Sequence, residues 1–133
     1  MGSSKHSLGD LQLAIMRVLW ERGEATVAEV HAALVDERGL APTTIATMLR
    51  KMEQKGVCRH RSVGRQFVYR SAIDESDVHR TMVGELVERL FDGDPTALVN
   101  HLVEQGELAA DELDRLRRRI GRVRRKPHGG KRG

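Results

Sequence analysis

The stretch from Pro42 to Lys55 constrains the fold more than any other part of the chain. It begins with proline and is followed by Gly56, and these residues favour the first position of a helix and the position just past its end. Its apolar residues recur at intervals of three and four, which places them on one face: Ile45, Met48, Leu49 and Met52. The opposite face carries hydroxyl, amide and basic groups, as a helix in a DNA major groove requires. The apolar stripe alone is more typical of an ordinary surface helix.

Two shorter helices are predicted before this stretch. The first covers residues 9–22 and is ended by a glycine. The second starts at the capping-box pattern of residues 26–29 and ends near Arg38, with Gly39 as its C-terminal cap. Only two residues then separate it from Pro42. Such a short break between two helices is typical of a helix-turn-helix connection.

After Gly56 the pattern changes to two short alternating runs, residues 57–63 and 66–70, on either side of Gly64-Arg65. Such runs predict a β-hairpin with a type II′ turn. Four arginines lie along this ribbon: Arg59, Arg61, Arg65 and Arg70. Three helices followed by a basic hairpin predict a winged helix-turn-helix, in which the third helix enters the major groove and the wing touches flanking backbone. A hairpin that only packs on a helical core is the structural alternative.

The distribution of charge indicates what such a domain binds. The 133-residue chain has a formal net charge of +4. Residues 1–73 carry 11 basic and 7 acidic side chains, residues 74–114 carry 2 and 12, and residues 115–133 carry 10 and none. The window 42–70 holds seven basic residues and one acid, Glu53. Positive charge beside a helix that fits a groove is typical of a polyanion-binding protein. Double-stranded DNA is therefore the predicted partner.

The rest of the chain predicts three helices with one-sided apolar stripes, over residues 74–91, 96–104 and 110–123. The last of them spaces its apolar residues as a coiled-coil seam does. Because such short helices cannot bury these stripes alone, we expect a homodimer. The residues predicted to lie in its interface are Leu86, Leu90, Leu113, Leu116 and Ile120.

The predicted fold class is therefore mostly α with a small β-hairpin wing. A winged-helix DNA-binding domain is expected over residues 8–73 and a helical dimerisation domain over residues 74–123. Residues 124–133 are expected to form a disordered basic tail.

Several functional classes are excluded or disfavoured by what the sequence lacks. No segment reaches the roughly 18 uninterrupted apolar residues of a membrane span, and no signal peptide is visible. The single cysteine, Cys58, rules out an internal disulfide and fits a reducing compartment, so a cytoplasmic protein without membrane insertion is expected. No zinc-protease, nucleophile-elbow or phosphate-loop motif is present, which argues against an enzyme and against a cofactor.

From residue 8 to residue 123 the sequence resembles the penicillinase/methicillinase repressor family of BlaI/MecI type, which also includes copper-responsive repressors. The landmarks in chain order are Leu8-Gly9-Asp10, residues 15–20, residues 42–47, Lys55-Gly56, residues 64–69 and residues 97–100. The resemblance implies a homodimeric transcriptional repressor that binds a palindromic operator. In the β-lactam-responsive branch, which controls antibiotic resistance, it also implies inactivation by a protease linked to a membrane sensor.

Carried over by position, the resemblance assigns base contacts to Thr44 and Thr47, and phosphate contacts to Arg50, Lys51 and Arg65. Together with the helix and wing patterns, it gives this set of DNA-binding candidates: Thr43, Thr44, Thr47, Arg50, Lys51, Lys55, Arg61 and Arg65. Asn100-His101 aligns with the cleavage point of the family, although His101 stands where an aromatic residue is usual. The cysteine cluster of the copper branch is absent from this C-terminal segment, so the inducing signal stays open.

Two further hypotheses remain beside that of a proteolytically released repressor. Cys58 and His60 lie two residues apart on a predicted strand and so point the same way, which is compatible with a metal- or redox-responsive repressor of the same fold. Two ligands are too few for a structural zinc site. The helices of residues 74–123 are also compatible with a protein-interaction adaptor, against which the basic excess of residues 42–70 argues.

Overall fold

The computed structural model describes residues 5–125. Its elements, in chain order, are α1 (Asp10–Arg22), β1 (Ala25–Thr26), α2 (Val27–Arg38), α3 (Pro42–Lys55), β2 (Cys58–Val63), β3 (Gln66–Ser71), α4 (Glu75–Phe91), α5 (Pro95–Glu104) and α6 (Ala110–Arg125). They divide into two compact units between Leu86 and Val87. None of the helices in the described part of the chain has the length and apolar character needed to cross a membrane.

The bounds of α2 and α3 follow from local signals in the sequence. The Thr26 hydroxyl accepts a hydrogen bond from the Glu29 amide at 3.1 Å, and the Glu29 carboxylate accepts one from the Thr26 amide at 2.8 Å. This capping box holds the pKa of Glu29 below its ordinary value, chiefly because the Thr26 amide donates to the carboxylate. Helix α3 begins at Pro42 and ends before Gly56, whose φ of 91° is one that glycine adopts without strain. The predicted bounds of both helices are confirmed.

The three strands form an antiparallel sheet in the order β1-β3-β2. Strands β2 and β3 are joined at Gly64-Arg65, between the paired residues Val63 and Gln66. Gly64 has a φ of 61°, and positive φ at this position is what the predicted type II′ turn requires. Strand β1 is an addition to the predicted hairpin. Its two residues form a strand only because β3 lies beside them.

The core of the first unit lies between the sheet and helices α1, α2 and α3. Its fully buried side chains include Ile15, Met16, Val30, Ile45, Leu49, Met52 and Val57. At one edge of this core, the indole Nε1 of Trp20 donates to the Ser71 hydroxyl at 2.9 Å and to the Ile73 carbonyl at 3.1 Å. These bonds connect α1 to the end of β3 and so link the helical layer to the sheet.

The division between the two units lies later in the chain than predicted. Val78 is 0% exposed in the core of the first unit, and Met82 packs against that core. The residues of α4 up to Leu86 therefore belong to the first compact unit, while the assignment of DNA binding to residues 8–73 and of dimerisation to residues 74–123 stays a prediction. The segment predicted as a tail, residues 124–133, also begins inside α6, which continues to Arg125. Residues 126–133 lie outside the described part of the chain.

The second unit contains the end of α4 and helices α5 and α6. The Asp94 carboxylate accepts a hydrogen bond from the Thr96 amide at 3.0 Å and so caps the start of α5. Pro95 takes the first helical position. Helix α5 has no fully buried residue, and Ala97, Leu98 and Leu102 are half-buried.

Candidate nucleic-acid interface

Helix α3 turns its predicted outer face away from the core. Ile45, Leu49 and Met52 are each 0% exposed, whereas Met48 is partly buried. The predicted DNA-binding residues of this helix are all exposed: Thr43, Thr44, Thr47, Arg50, Lys51 and Lys55. Arg50 donates to the Thr47 hydroxyl at 3.3 Å, so a hydroxyl and a guanidinium group lie together on this face. The orientation of α3 is confirmed, while its contacts with DNA stay a prediction.

A concavity of about 480 Å³ lies between the start of α2, helix α3 and the wing. Arg50 of α3 and Arg65 of the β2–β3 turn both line it, although the two residues lie on different elements. Val27 and His31 of α2 line it as well, and the His31 imidazole donates to the Leu40 carbonyl at 2.9 Å. That bond fixes the short connection to α3. The fold therefore brings basic groups of the third helix and the wing to one surface.

Arg61 does not face this concavity. In the register of the hairpin, Arg61 pairs with Val68 while His60 pairs with Tyr69, so Arg61 lies on the opposite face of the wing from the core. Its guanidinium donates to the carboxylate of Glu24 at 2.8 and 3.4 Å. The alternation of β2 thus directs Arg61 away from α3, and its DNA contact stays a prediction.

Lys55 has a partner within the protein. Its Nζ donates to the Ser7 carbonyl at 3.3 Å and thereby joins the end of α3 to the segment that precedes α1. The side chain is exposed, so it can also approach a phosphate. Its DNA contact stays a prediction.

Sequence reasoning missed a side-chain cluster that joins α3 to the wing. The Nδ1 of His60 on β2 lies 2.7 and 2.9 Å from the two carboxylate oxygens of Glu53 on α3. The His60 ring also stacks on Phe67 of β3, with ring centroids 3.9 Å apart and an interplanar angle of 18°. Strand alternation places His60 and Phe67 on one face, but no sequence pattern indicates that Glu53 meets them.

The geometry around Cys58 does not favour a redox or metal site. Its side chain is 0% exposed, and its Sγ donates to the Leu49 carbonyl at 3.6 Å. Burial, and secondly the negative charge of Glu53, raise the pKa of the thiol to about 12. The group is therefore protonated at neutral pH, whereas a reactive cysteine is a thiolate. Within the described residues, no group of three or more His, Cys, Asp and Glu side chains is placed to hold a metal ion.

In the second unit, an open apolar groove of about 570 Å³ runs along α6. Three of the predicted dimerisation residues, Leu113, Leu116 and Ile120, line it together with Val99 and Val123. Leu116 is 44% exposed and Ile120 56%, which is unusual for side chains of this size.

The other two predicted dimerisation residues lie on α4. Leu86 and Leu90 are exposed and do not line the groove along α6. Asn100 and His101, the predicted cleavage pair, lie on α5 and are both exposed.

A helix-turn-helix whose second helix exposes hydroxyl and basic groups, followed by a basic hairpin, defines the first unit as a winged-helix DNA-binding domain. The family model for the penicillinase repressor matches residues 8–122 of this chain. The chain belongs to the penicillinase repressor family, a class of DNA-binding transcriptional repressors and not of enzymes.

Individual relatives agree with this family. The chain is 31% identical over 109 residues to the penicillinase repressor of Bacillus licheniformis, covering 82% of this chain and 85% of that protein. It is 36% identical over 118 residues to the transcriptional regulator BlaI of Mycobacterium tuberculosis (strain CDC 1551 / Oshkosh), covering 87% and 84%. Among solved structures, the DNA-binding domain of the repressor BlaI superposes with a TM-score of 0.50 and 36% identity, covering 58% of this chain and 93% of that one.

Proposed function

We propose that this protein is a homodimeric repressor that binds a palindromic operator through α3 and the wing. The observation that carries the proposal is the concavity in which Arg50 and Arg65 lie beside the exposed face of α3. A palindrome presents the same half-site twice, and a two-fold symmetric dimer presents α3 twice. Because the bound molecule is chromosomal DNA, we place this action in the cytoplasm.

The roles of the residues follow from their lengths and charges. Thr44 and Thr47 are short and uncharged, so they suit direct contact with base edges in the major groove. Arg50, Lys51 and Arg65 suit phosphate oxygens, which set the position of the protein on the duplex but carry no sequence information. Thr43, at the start of α3, lies where a helix that enters the groove by its N-terminal end meets the DNA first.

The groove along α6 supports dimerisation through the second unit. A large apolar surface on a water-soluble chain is stabilised when a second surface covers it. Leu113, Leu116 and Ile120 would then be buried between subunits, and Leu86 and Leu90 of α4 are the further exposed leucines proposed for the interface. Dimerisation and operator binding become linked equilibria, since a dimer contacts two half-sites at once.

Release by proteolysis between Asn100 and His101 is the mechanism of induction that we propose, with a protease coupled to a membrane sensor as the partner. A protease needs an extended substrate, so α5 must open locally before it is cut. Within one subunit α5 has no fully buried residue, so that opening breaks no fully buried side-chain contact of the subunit. The cut would separate α6, with its groove residues, from the winged domain.

Selection of bound duplexes from a random DNA pool by the full chain tests the operator-binding proposal. The expected result is a two-fold-symmetric motif whose half-sites are separated by about one helical turn, roughly 10 base pairs, or a multiple of it. Recovery of an asymmetric motif would contradict the palindrome and the dimer. Recovery of no motif would contradict sequence-specific repression and favour the adaptor alternative.

A further inference from the structure

We propose that helix α6 carries a second surface for duplex DNA, one that binds any sequence and is separate from α3 and the wing. Four arginines on one side of α6 form this surface, which we call the arginine face: Arg115, Arg118, Arg119 and Arg122. The inference goes beyond the proposed function, because such binding requires neither an operator nor the hairpin.

The first observation is where these arginines lie on the helix. They follow one another at intervals of three, one and three residues, which groups them on one side at about 100° per residue. Arg118 lies directly opposite the middle of the apolar stripe formed by Leu113, Leu116, Ile120 and Val123. A duplex can therefore occupy the arginine face while a second subunit covers the apolar stripe.

The second observation is that these arginines have few anionic partners within the protein. All four are exposed, and they line a concavity of about 530 Å³. Arg115 is paired with Asp111 at 3.3 Å, while the other three have no carboxylate at ion-pair distance within residues 5–125. Glu112 also lines the concavity, but its carboxylate accepts a hydrogen bond from the Ala109 amide at 2.7 Å. Like charges three and four residues apart destabilise a helix, and a bound polyanion would remove that repulsion.

The chemistry and length of the arginine face favour phosphates. Residues 115–125 contain seven arginines, no lysine and no acid. Guanidinium groups bind phosphate oxygens in a planar, two-pronged geometry that a lysine cannot match. At about 1.5 Å per residue the face is roughly 10 Å long. Because each DNA strand carries a charge about every 3.4 Å along the helix axis, the face spans more than one phosphate.

Two other anionic surfaces fit this helix less well. A helix that lies on a lipid surface buries its apolar side, often through aromatic residues, and residues 110–125 contain no aromatic residue. Such burial would also compete with the second subunit for the apolar stripe. An acidic helix face of another copy would need acids at helical spacing, but α5 contains only Glu104, and the part of α4 in the second unit contains only Glu88. Duplex DNA satisfies both the charge and the geometry.

The test measures binding of the full chain to a duplex that carries a scrambled version of the selected motif. Fluorescence anisotropy at several salt concentrations gives the slope of log affinity against log salt. The variant Arg118→Gln/Arg119→Gln/Arg122→Gln removes three charges and keeps a similar helix propensity. The matched control removes the same charge from exposed arginines of α1 and α4: Arg17→Gln/Arg80→Gln/Arg89→Gln.

We expect the slope to fall by about 0.9 for each phosphate contact removed, hence by about 2–3 in the triple variant. The control should keep the wild-type slope, and so should Arg118→Lys/Arg119→Lys/Arg122→Lys, which retains the charge. Sedimentation should show that the glutamine variant is still a dimer. If it is not, Arg118→Gln alone decides, with an expected fall of about 0.9, because that residue lies farthest from the apolar stripe.

A second comparison separates the arginine face from the winged domain. In a background of Arg50→Gln/Arg65→Gln, the phosphate contacts proposed for α3 and the wing are removed. The three glutamine substitutions on α6 should then lower the slope by the same amount as in the wild type, because distant and independent sites have additive effects.

An unchanged slope in the α6 variants, or an equal fall in the control, would overturn the inference. Vesicles of phosphatidylglycerol and phosphatidylcholine in equal parts test the lipid alternative: binding that depends on the arginine face, with an unchanged slope on DNA, would replace the duplex by a membrane. Association of dimers at low salt that depends on this face, again with an unchanged slope, would replace it by another copy. The proposed function fails separately, if the wild type selects no symmetric motif.

Discussion

At the residue scale, the exposed face of α3 combines two kinds of side chain with different effects on binding. Under the proposed function, the threonine hydroxyls contact base edges, whereas Arg50 contacts phosphates, which every sequence shares. Thr47 and Arg50 lie close enough on α3 to share a hydrogen bond of 3.3 Å. In the free protein this bond keeps the guanidinium group beside the hydroxyl. On DNA the two groups are expected to part, each to its own acceptor.

Replacement of Thr47 should therefore change specificity, and replacement of Arg65 should change affinity alone. We expect Thr47→Ala to cost about 1–3 kcal/mol on the selected motif and to relax preference at one base position. Arg65→Gln should weaken binding to all sequences alike and lower the salt slope by about one. Repeated selection from the random pool and anisotropy titrations measure both effects. An unchanged motif and affinity for Thr47→Ala would show that α3 is not the helix that reads bases.

Cys58 should be unreactive toward thiol reagents in the folded protein. Its pKa is raised from 9.0 to about 12, so the folded state retains a proton that the unfolded chain has begun to release above about pH 9. The free energy of unfolding should consequently decline as pH rises above about 9. This decline should be smaller in Cys58→Ser, when each protein is compared with its own free energy of unfolding at neutral pH. A thiol reagent at pH 7.5 should label Cys58 only in denaturant. Rapid labelling of the native protein would revive the redox hypothesis.

At the element scale, α3 and the wing are joined through Glu53, His60 and Phe67 rather than through the backbone alone. His60 is bonded to a carboxylate of the helix and stacked on an aromatic ring of the hairpin. We expect this cluster to determine where Arg65, at the turn, lies relative to α3. Under the proposed function, the position of the wing is then set before DNA binds.

A link between His60 and the position of Arg65 predicts that substitutions of the two residues have non-additive effects on DNA binding. His60→Ala should weaken DNA binding although His60 itself makes no phosphate contact, because Arg65 is then no longer held in place. Once Arg65→Gln is present, adding His60→Ala should cost much less, giving an interaction free energy of about 0.5–3 kcal/mol. Anisotropy on the four proteins of the double-mutant cycle measures it, with circular dichroism to confirm folding. Additive losses would mean that His60 acts on the hairpin alone.

Cleavage in α5 provides the test of release. A foreign protease site inserted between Asn100 and His101 should allow a single cut. The cut should lower operator affinity by orders of magnitude, because the two winged domains then bind their half-sites separately instead of as one bivalent dimer. The matched control carries a scrambled insertion that the protease does not cut. Affinity that survives the cut would mean that α6 does not hold the dimer, and induction would then need another explanation.

The elements of the first unit were predictable where local chemistry determines them. The capping box of α2, the proline and glycine of α3 and the Gly64 turn each depend on residues adjacent in sequence, and each is present. What escaped prediction depends on packing between distant segments. The Glu53–His60 contact, the Arg61–Glu24 ion pair and strand β1 all require knowledge of which surfaces meet, and no periodicity contains that information.

At the scale of the whole molecule, the division after Leu86 predicts that a stable DNA-binding fragment must retain the residues of α4 up to Leu86. Val78 is fully buried against the winged core, and burial of a valine contributes about 1.5–3 kcal/mol. A fragment ending at residue 86 should fold as a monomer and bind a half-site weakly. One ending at residue 73 should melt at a clearly lower temperature.

Sedimentation and thermal unfolding of both fragments and of the full chain measure these differences. The full chain should sediment as a dimer at micromolar concentration, since the groove along α6 is retained only there. A monomeric full chain would contradict dimerisation through the second unit. Equal melting temperatures for the two fragments would show that the first half of α4 does not stabilise the winged domain.

The indole of Trp20, bonded to Ser71 and Ile73 at the edge of the core, has a spectroscopic consequence. The sequence contains one tryptophan and one tyrosine, Tyr69, and both belong to the first unit. Tryptophan and tyrosine absorption and emission of this protein therefore originate in the winged domain. The second unit contains neither residue and does not absorb at wavelengths longer than those of phenylalanine. Emission and far-ultraviolet circular dichroism, recorded in one thermal scan, would follow the winged domain and all the helices respectively. The interval between the two transitions would then measure how independently the second unit melts, without a label or a truncated chain.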